Sequence, residues 1–154
     1  MMALDDVVSS VNPQWRRFEI ATYRTLRWID RCIDAHRSPR TQCLFGILQG
    51  GLDTSPGGLR EICLDGMKRR DAYLSGYAVG GLAGGEDKSK FWRVVAQATP
   101  LMPRDKPRYL MGVGFPLGGF RRCVVVAVFS SLLLTHPPTH PPTHPPTHAT
   151  RQQT

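Results

Sequence analysis

Three short apolar runs, each leading into glycine, recur at a fixed spacing. Phe45-Gly46-Ile47-Leu48-Gln49-Gly50-Gly51, Tyr77-Ala78-Val79-Gly80-Gly81 and Tyr109-Leu110-Met111-Gly112-Val113-Gly114 set Ile47, Val79 and Met111 32 residues apart. That distance is about one strand, a crossover helix and the return to a neighbouring parallel strand. An apolar run without alternation, closed by turn residues, is the pattern of a strand buried on both faces. The spacing predicts successive parallel strands, Cys43–Leu48 among them.

The intervening segments carry helical periodicity. Between Glu19 and His36, Ile20, Tyr23, Leu26, Ile29 and Ile33 recur every three or four residues, predicting one inward face before the stop at Ser38-Pro39. Ser55-Pro56-Gly57-Gly58 predicts a turn, followed by a helix with Leu59, Ile62, Cys63 and Met67 inside. Asp87 can cap a third helix carrying Phe91, Val94, Val95 and Ala98, which ends near Pro100 and Pro103. Parallel strands joined by helices make either an open doubly wound sheet or a closed (β/α)8 barrel, and both place ligands beyond the C-terminal strand ends. Gly50-Gly51, Gly80-Gly81 and Gly112 fall at those ends. Glycine there lets a flat ligand or a phosphate approach the main chain, or simply serves a tight turn.

With 154 residues, 41% hydrophobic and 21% charged, the chain suits one domain or one piece of a larger domain. Residues 1–114 hold 17 Lys and Arg against 12 Asp and Glu, an excess of +5. This is a mild bias towards polyanions such as nucleic acid, with a solvated basic face as the plainer reading. Cys32, Cys43, Cys63 and Cys123 never approach C-x-x-C spacing, which argues against a local zinc site and for packed thiols in a reducing compartment. No basic segment followed by an apolar one opens the chain, so no secretory signal is expected. The apolar run Cys123–Leu134 is shorter than the ~20 residues of a spanning helix, so no membrane span is expected.

Composition changes after Gly114. Residues 115–154 contain no acidic residue and seven of the 13 prolines, and a THPP repeat spaces His136, His140, His144 and His148 four apart. Regular imidazoles could take Ni or Zn. The plainer expectation is an extended, disordered low-complexity tail, including translation of a simple repeat outside the normal frame. Two regions result: 1–114, and 115–154 with an apolar segment and the tail.

Four motifs stand in order: Met2-Ala3-Leu4-Asp5-Asp6, Ile47-Leu48-Gln49-Gly50-Gly51, Gly76-Tyr77-Ala78-Val79-Gly80-Gly81-Leu82 with Gly85-Glu86, and Pro107-Arg108-Tyr109-Leu110-Met111-Gly112-Val113-Gly114. Over roughly Met1–Gly114 the chain resembles the tRNA-guanine transglycosylases, nearest their eukaryotic branch. The resemblance implies an α/β fold, here about three consecutive β/α units of a zinc-containing (β/α)8 TIM-type barrel. It implies a pentosyltransferase of tRNA modification that exchanges the anticodon wobble guanine for queuine, forming queuosine. The family works through an aspartate that attacks the ribose anomeric carbon and a second aspartate that manages the proton, on a base drawn out of its stack. The implied partners are tRNA, the queuine or guanine base, and a non-catalytic subunit in a heterodimer. The implied location is the cytoplasm, the mitochondrial surface included.

The resemblance also implies site residues. Asp5 would accept hydrogen bonds from the guanine-like edge of the base, a charge-assisted pair. Gln49 would read that edge with an amide that donates and accepts. Gly81 and Leu82 would offer main chain, Met111 would pack on the ring face, and Glu86 would steady the glycine loop. Outside that resemblance each has another reading: Asp5 or Asp6 as a helix cap, Gln49 satisfying a loop carbonyl, Met111 as core, Glu86 as part of the capping at Asp87. The chain also departs from the family. Wording differs at Asn12–Phe18 and Thr54–Gly58, and the chain opens at what is mid-barrel for the family, without the proton-managing aspartate. No aspartate follows Gly114, where the nucleophile is expected, and Cys123 is the only cysteine there, where three cysteines and a histidine would hold zinc. No catalytic residue and no metal ligand is therefore expected, and a truncated or alternatively spliced chain, inactive alone, is the reading. A non-catalytic fragment binding queuine or the partner subunit is the alternative, and an unrelated β/α protein with a metal-binding tail is a third.

Overall fold

A computed structural model of the chain describes residues 1–112; the expectations for Val113, Gly114 and residues 115–154 lie outside them. Helix α1 (Trp15–Ala35) leads to β1 (Phe45–Leu48), α2 (Leu59–Lys68), a short 3-10 turn (Asp71–Tyr73), β2 (Gly76–Val79), α3 (Lys88–Leu101) and β3 (Arg108–Leu110). The strands form one parallel sheet in the order β1-β2-β3. Phe45 pairs with Gly76, Leu48 with Val79 and Val79 with Leu110. The 32-residue recurrence thus marks neighbouring strands, each reached through a helix. A further piece joins at the free edge of β1. Phe45 donates its N–H to the Met1 carbonyl at 2.9 Å and Ala3 donates to the Phe45 carbonyl at 3.0 Å, so the N-terminal segment runs beside β1 as a parallel bridge. This brings the residues after Ala3 to the strand ends.

The core lies between sheet and helices. Leu48, Tyr77, Val79 and Leu110 meet Ile29 of α1, Cys63, Leu64 and Met67 of α2, and Val94, Val95 and Ala98 of α3. Ile47 and Ala78 alternate with these along the strands and are buried too, so the runs are covered on both faces as their composition predicts. Each buried Val, Leu, Ile or Met among them contributes about 1.5–3 kcal/mol by leaving water.

Two helical faces differ from their sequence reading. Ile20 and Tyr23 of α1 are 40% and 44% exposed, while Ala21, Thr22, Thr25 and Ile29 are buried. The buried stripe is rotated because small residues let α1 approach the N-terminal segment, where Thr25 Oγ1 accepts the Asp6 N–H at 3.0 Å. On α2, Ile62 is half-buried and Arg60, absent from the predicted face, is buried. Asp87 caps α3 as predicted, its carboxylate accepting the Ser89 N–H at 2.7 Å. Pro100 sits in the last turn of that helix, not beyond it. Among the described residues no helix is long and apolar enough to cross a membrane.

Candidate functional site

The C-terminal strand ends gather residues from four separated segments. Gln49 follows β1 directly and is buried, its main-chain N–H directed at the Cys63 sulfur 3.3 Å away. Its side-chain Nε2 donates to Asp5 Oδ2 at 2.6 Å, across 44 residues of chain. Gly81 follows β2 with φ of +67°, and a Cβ there would collide with Gln49 Oε1. Beside it, the position a Cβ of Gly80 would take lies 3.2 Å from Gln49 Nε2 and 3.4 Å from Met111 Sδ. Asp5, Gln49, Gly81 and Met111 therefore share one corner of the rim. Leu82 is partly buried against the core, and its carbonyl lies near Gly112.

Glu86 stands to one side and organises the loop after β2. Its carboxylate accepts the N–H of Ala83 at 2.6 Å and of Gly84 at 2.8 Å, and the Ser10 hydroxyl donates to it as well. Burial works against its charge, but the Ser10 and main-chain donors outweigh that and hold its carboxyl below the usual range. The loop contains Ala83 at φ +60°, the one non-glycine residue with left-handed backbone among those described. Ser9 adds a 3.4 Å bond from its hydroxyl to the Gly84 carbonyl, tying the N-terminal segment to this loop.

The neighbours Asp5 and Asp6 have opposite environments. Asp6 is clamped by Arg17, which donates twice at 2.5 and 3.0 Å, and by Arg24 at 2.7 Å. The Arg17 hydrogen bonds, aided by the charge of both arginines, hold its carboxyl below the ordinary range. Asp5 faces the rim with the Gln49 amide as its one side-chain donor among the described residues, and burial pushes its carboxyl up despite that bond. A carboxylate with open lone pairs, held by a fixed amide beside glycine main chain, suits a ligand that brings paired N–H donors.

Sequence reasoning missed two contributors. Asp53 accepts the Ser55 N–H at 3.2 Å and the Leu59 N–H at 2.7 Å, ordering the loop between β1 and α2. Arg60 lies beneath the rim and donates to three main-chain carbonyls: Gly51 at 2.8 Å, Leu48 at 2.9 Å and Gly80 at 2.8 Å. Its position in the first turn of α2 was the available signal, since the helix dipole disfavours a cation there and another reason must hold it.

Among the described residues no group of three His, Cys, Asp or Glu could hold a metal. Cys63 is buried under Gln49 with its thiol pushed up to about 11 by that burial, Cys32 takes the Leu4 N–H, and Cys43 is exposed. These thiols do not fit a zinc centre.

The family described as queuine tRNA-ribosyltransferase matches residues 1–122, past Gly114 where the motif wording stops. The queuine tRNA-ribosyltransferase catalytic subunit of Schizosaccharomyces pombe is 53% identical over 115 residues, 75% of this chain and 27% of that protein. Its namesake in Caenorhabditis elegans is 45% identical over 117 residues, 76% of this chain and 28% of that protein. The queuine tRNA-ribosyltransferase of Synechococcus elongatus is 47% identical over 96 residues, 62% of this chain and 24% of that protein. The chain spans about a quarter of the length of these relatives. The match over most of its residues makes this chain a member of the queuine tRNA-ribosyltransferase family.

Proposed function

We propose that this chain carries the base-recognition rim of a tRNA-guanine transglycosylase, built on part of a (β/α)8 barrel, and that its ligand is the guanine or queuine base exchanged at the tRNA anticodon. The observation that carries the reading is the Gln49 Nε2 to Asp5 Oδ2 bond of 2.6 Å beside the bare main chain of Gly81. A guanine-type edge offers two N–H donors and a carbonyl oxygen. Asp5, as carboxylate, accepts from both donors, and the second Nε2 hydrogen of Gln49 is free to meet the carbonyl. Adenine presents a ring acceptor where guanine presents N–H, and would face Asp5 with like polarity. Gly81 and Leu82 admit the ring to the main chain, Met111 covers its face, and Glu86 keeps the loop in place.

The chemical step belongs to groups this chain does not supply. The family's nucleophilic aspartate follows the Gly112-Val113-Gly114 segment, and residues 115–154 contain neither aspartate nor glutamate. The family's zinc would need a cysteine cluster that the described residues lack. The 154-residue chain accordingly binds the base and does not exchange it, and tRNA and a non-catalytic subunit are partners of the complete enzyme. Calorimetry with guanine and adenine, beside radiolabelled guanine incorporation into tRNA, tests both parts. Guanine binding tighter than adenine binding, with incorporation no higher than without protein, is expected. Equal affinity for the two purines overturns the recognition reading, and incorporation above the control overturns the inactive one.

A further inference from the structure

We infer that Arg60 is the positioning residue of the base-recognition rim, a single guanidinium that sets the distance between Gln49 and Gly81. The assignment rests on the base-binding reading above and extends it to a residue that never touches the base. The β1-β2 ladder ends where Gly80 donates its N–H to the Leu48 carbonyl at 3.0 Å. Beyond that rung no main-chain hydrogen bond between the two segments is seen among the described residues, so the ladder itself does not fix their spacing. Arg60 takes over there. Its Nη1 bridges the Leu48 carbonyl at 2.9 Å and the Gly80 carbonyl at 2.8 Å, one from each strand, and its Nε holds the Gly51 carbonyl at 2.8 Å. Gln49 and Gly50 thus lie between two carbonyls held by Arg60, and Gly81 is one peptide beyond the third.

Two further observations set Arg60 apart from an ordinary packed arginine. It is 3% exposed with no carboxylate hydrogen-bonded to it, and its Nη2 has no hydrogen-bond partner among the described residues. A buried cation kept at such cost, when an apolar side chain could fill the space, implies that its fork geometry is needed. The packing around it is equally exacting: Gly50 has φ +131°, and a Cβ there would lie 2.6 Å from the Arg60 main-chain nitrogen. Burial lowers the guanidinium only to about 10, so it stays charged at neutral pH.

Lysine keeps the charge but offers its three donors from one nitrogen and cannot reproduce the separated Nε and Nη1 positions, and glutamine keeps planar donors without the reach. The test measures guanine and adenine affinities for the full 154-residue chain, for Arg60→Lys and for Arg60→Gln, on protein whose folded fraction is established by circular dichroism. Both variants should lose about tenfold in the guanine-to-adenine ratio, the loss of one well-aligned charge-assisted contact. A merely structural arginine would lower the melting temperature and leave that ratio unchanged, which overturns the inference. Failure of both variants to fold also overturns it, assigning Arg60 to the fold. Absence of guanine preference in the unsubstituted chain is a different result: it removes the base-binding reading, and the positioning role falls with it.

Discussion

Where β2 and β3 begin, Asp71 Oδ1 accepts from the Tyr77 hydroxyl at 2.5 Å and lies 2.9 Å from Lys106 Nζ, which also donates to the Leu74 carbonyl at 2.8 Å. Where the same strands finish, Asp5 has one amide partner among the described residues, and the Gln49 side chain lies against the main chain of Gly81. Both ends use an aspartate, but Asp71 is shared between a hydroxyl and an ammonium, while Asp5 meets a single side-chain amide among the described residues. Burial pushes the Tyr77 hydroxyl up, and the hydrogen bond to Asp71 and its charge add to that, so the phenol stays a donor at neutral pH. The contrast separates polar groups that tie the sheet to its own loops from polar groups gathered at the C-terminal strand ends, the face where parallel β/α folds carry their ligand sites.

The comparison breaks if damage at the closed end reaches the open one. Tyr77→Ala removes a fully buried ring and its hydroxyl, and should cost about 3–5 kcal/mol in urea unfolding while leaving the guanine-to-adenine ratio of the folded fraction unchanged. A changed ratio would mean the two ends are one unit. At the open end, Gly81→Ala combines a left-handed φ with a collision against Gln49, a strain of about 1–3 kcal/mol, and should weaken guanine binding at least tenfold. Retained affinity would show that Gly81 does not border the ligand.

The smallest effect sharpens the contrast within one dipeptide. The folded chain holds the Asp5 proton more tightly than the unfolded chain, so stability falls as pH rises from the ordinary aspartate range through the raised value. Asp6 does the opposite: its contribution is present above the ordinary range and is lost as pH falls through the lowered value. Urea midpoints between pH 3 and 7 should therefore show Asp5→Asn removing a decline towards neutral pH and Asp6→Asn removing a decline towards acid. Arg17 and Arg24 are partly exposed, which keeps the Asp6 effect to about 1 kcal/mol or less. Slopes of the same sign would contradict the two environments.

How far residues alone could lead is clearest at particular positions. Ile47, Val79 and Met111 disclosed the parallel order because a β/α unit has a nearly constant length, and a short apolar run has few other uses. Asp5, Gln49 and Gly81 were legible through the wording of their motifs, which needs no geometry. Ile20 and Tyr23 misled because helical periodicity identifies a stripe without saying which side meets a neighbour. Arg60 was passed over because a charged residue does not count towards an apolar face, although burial there is decided by carbonyls 9 to 20 residues away.

By itself, then, the sequence determined the strand and helix order and the glycines at the strand ends, which depend on local chemistry and chain length, while the residues beside those glycines were named only through motif wording. Tertiary structure alone decided which face of α1 is buried, which of two adjacent aspartates is clamped and which is open, and that one guanidinium spans two strand ends. Those outcomes depend on groups brought together from distant parts of the chain, and a hydrogen bond between Asp5 and Gln49 exists only once the sheet has set their segments side by side.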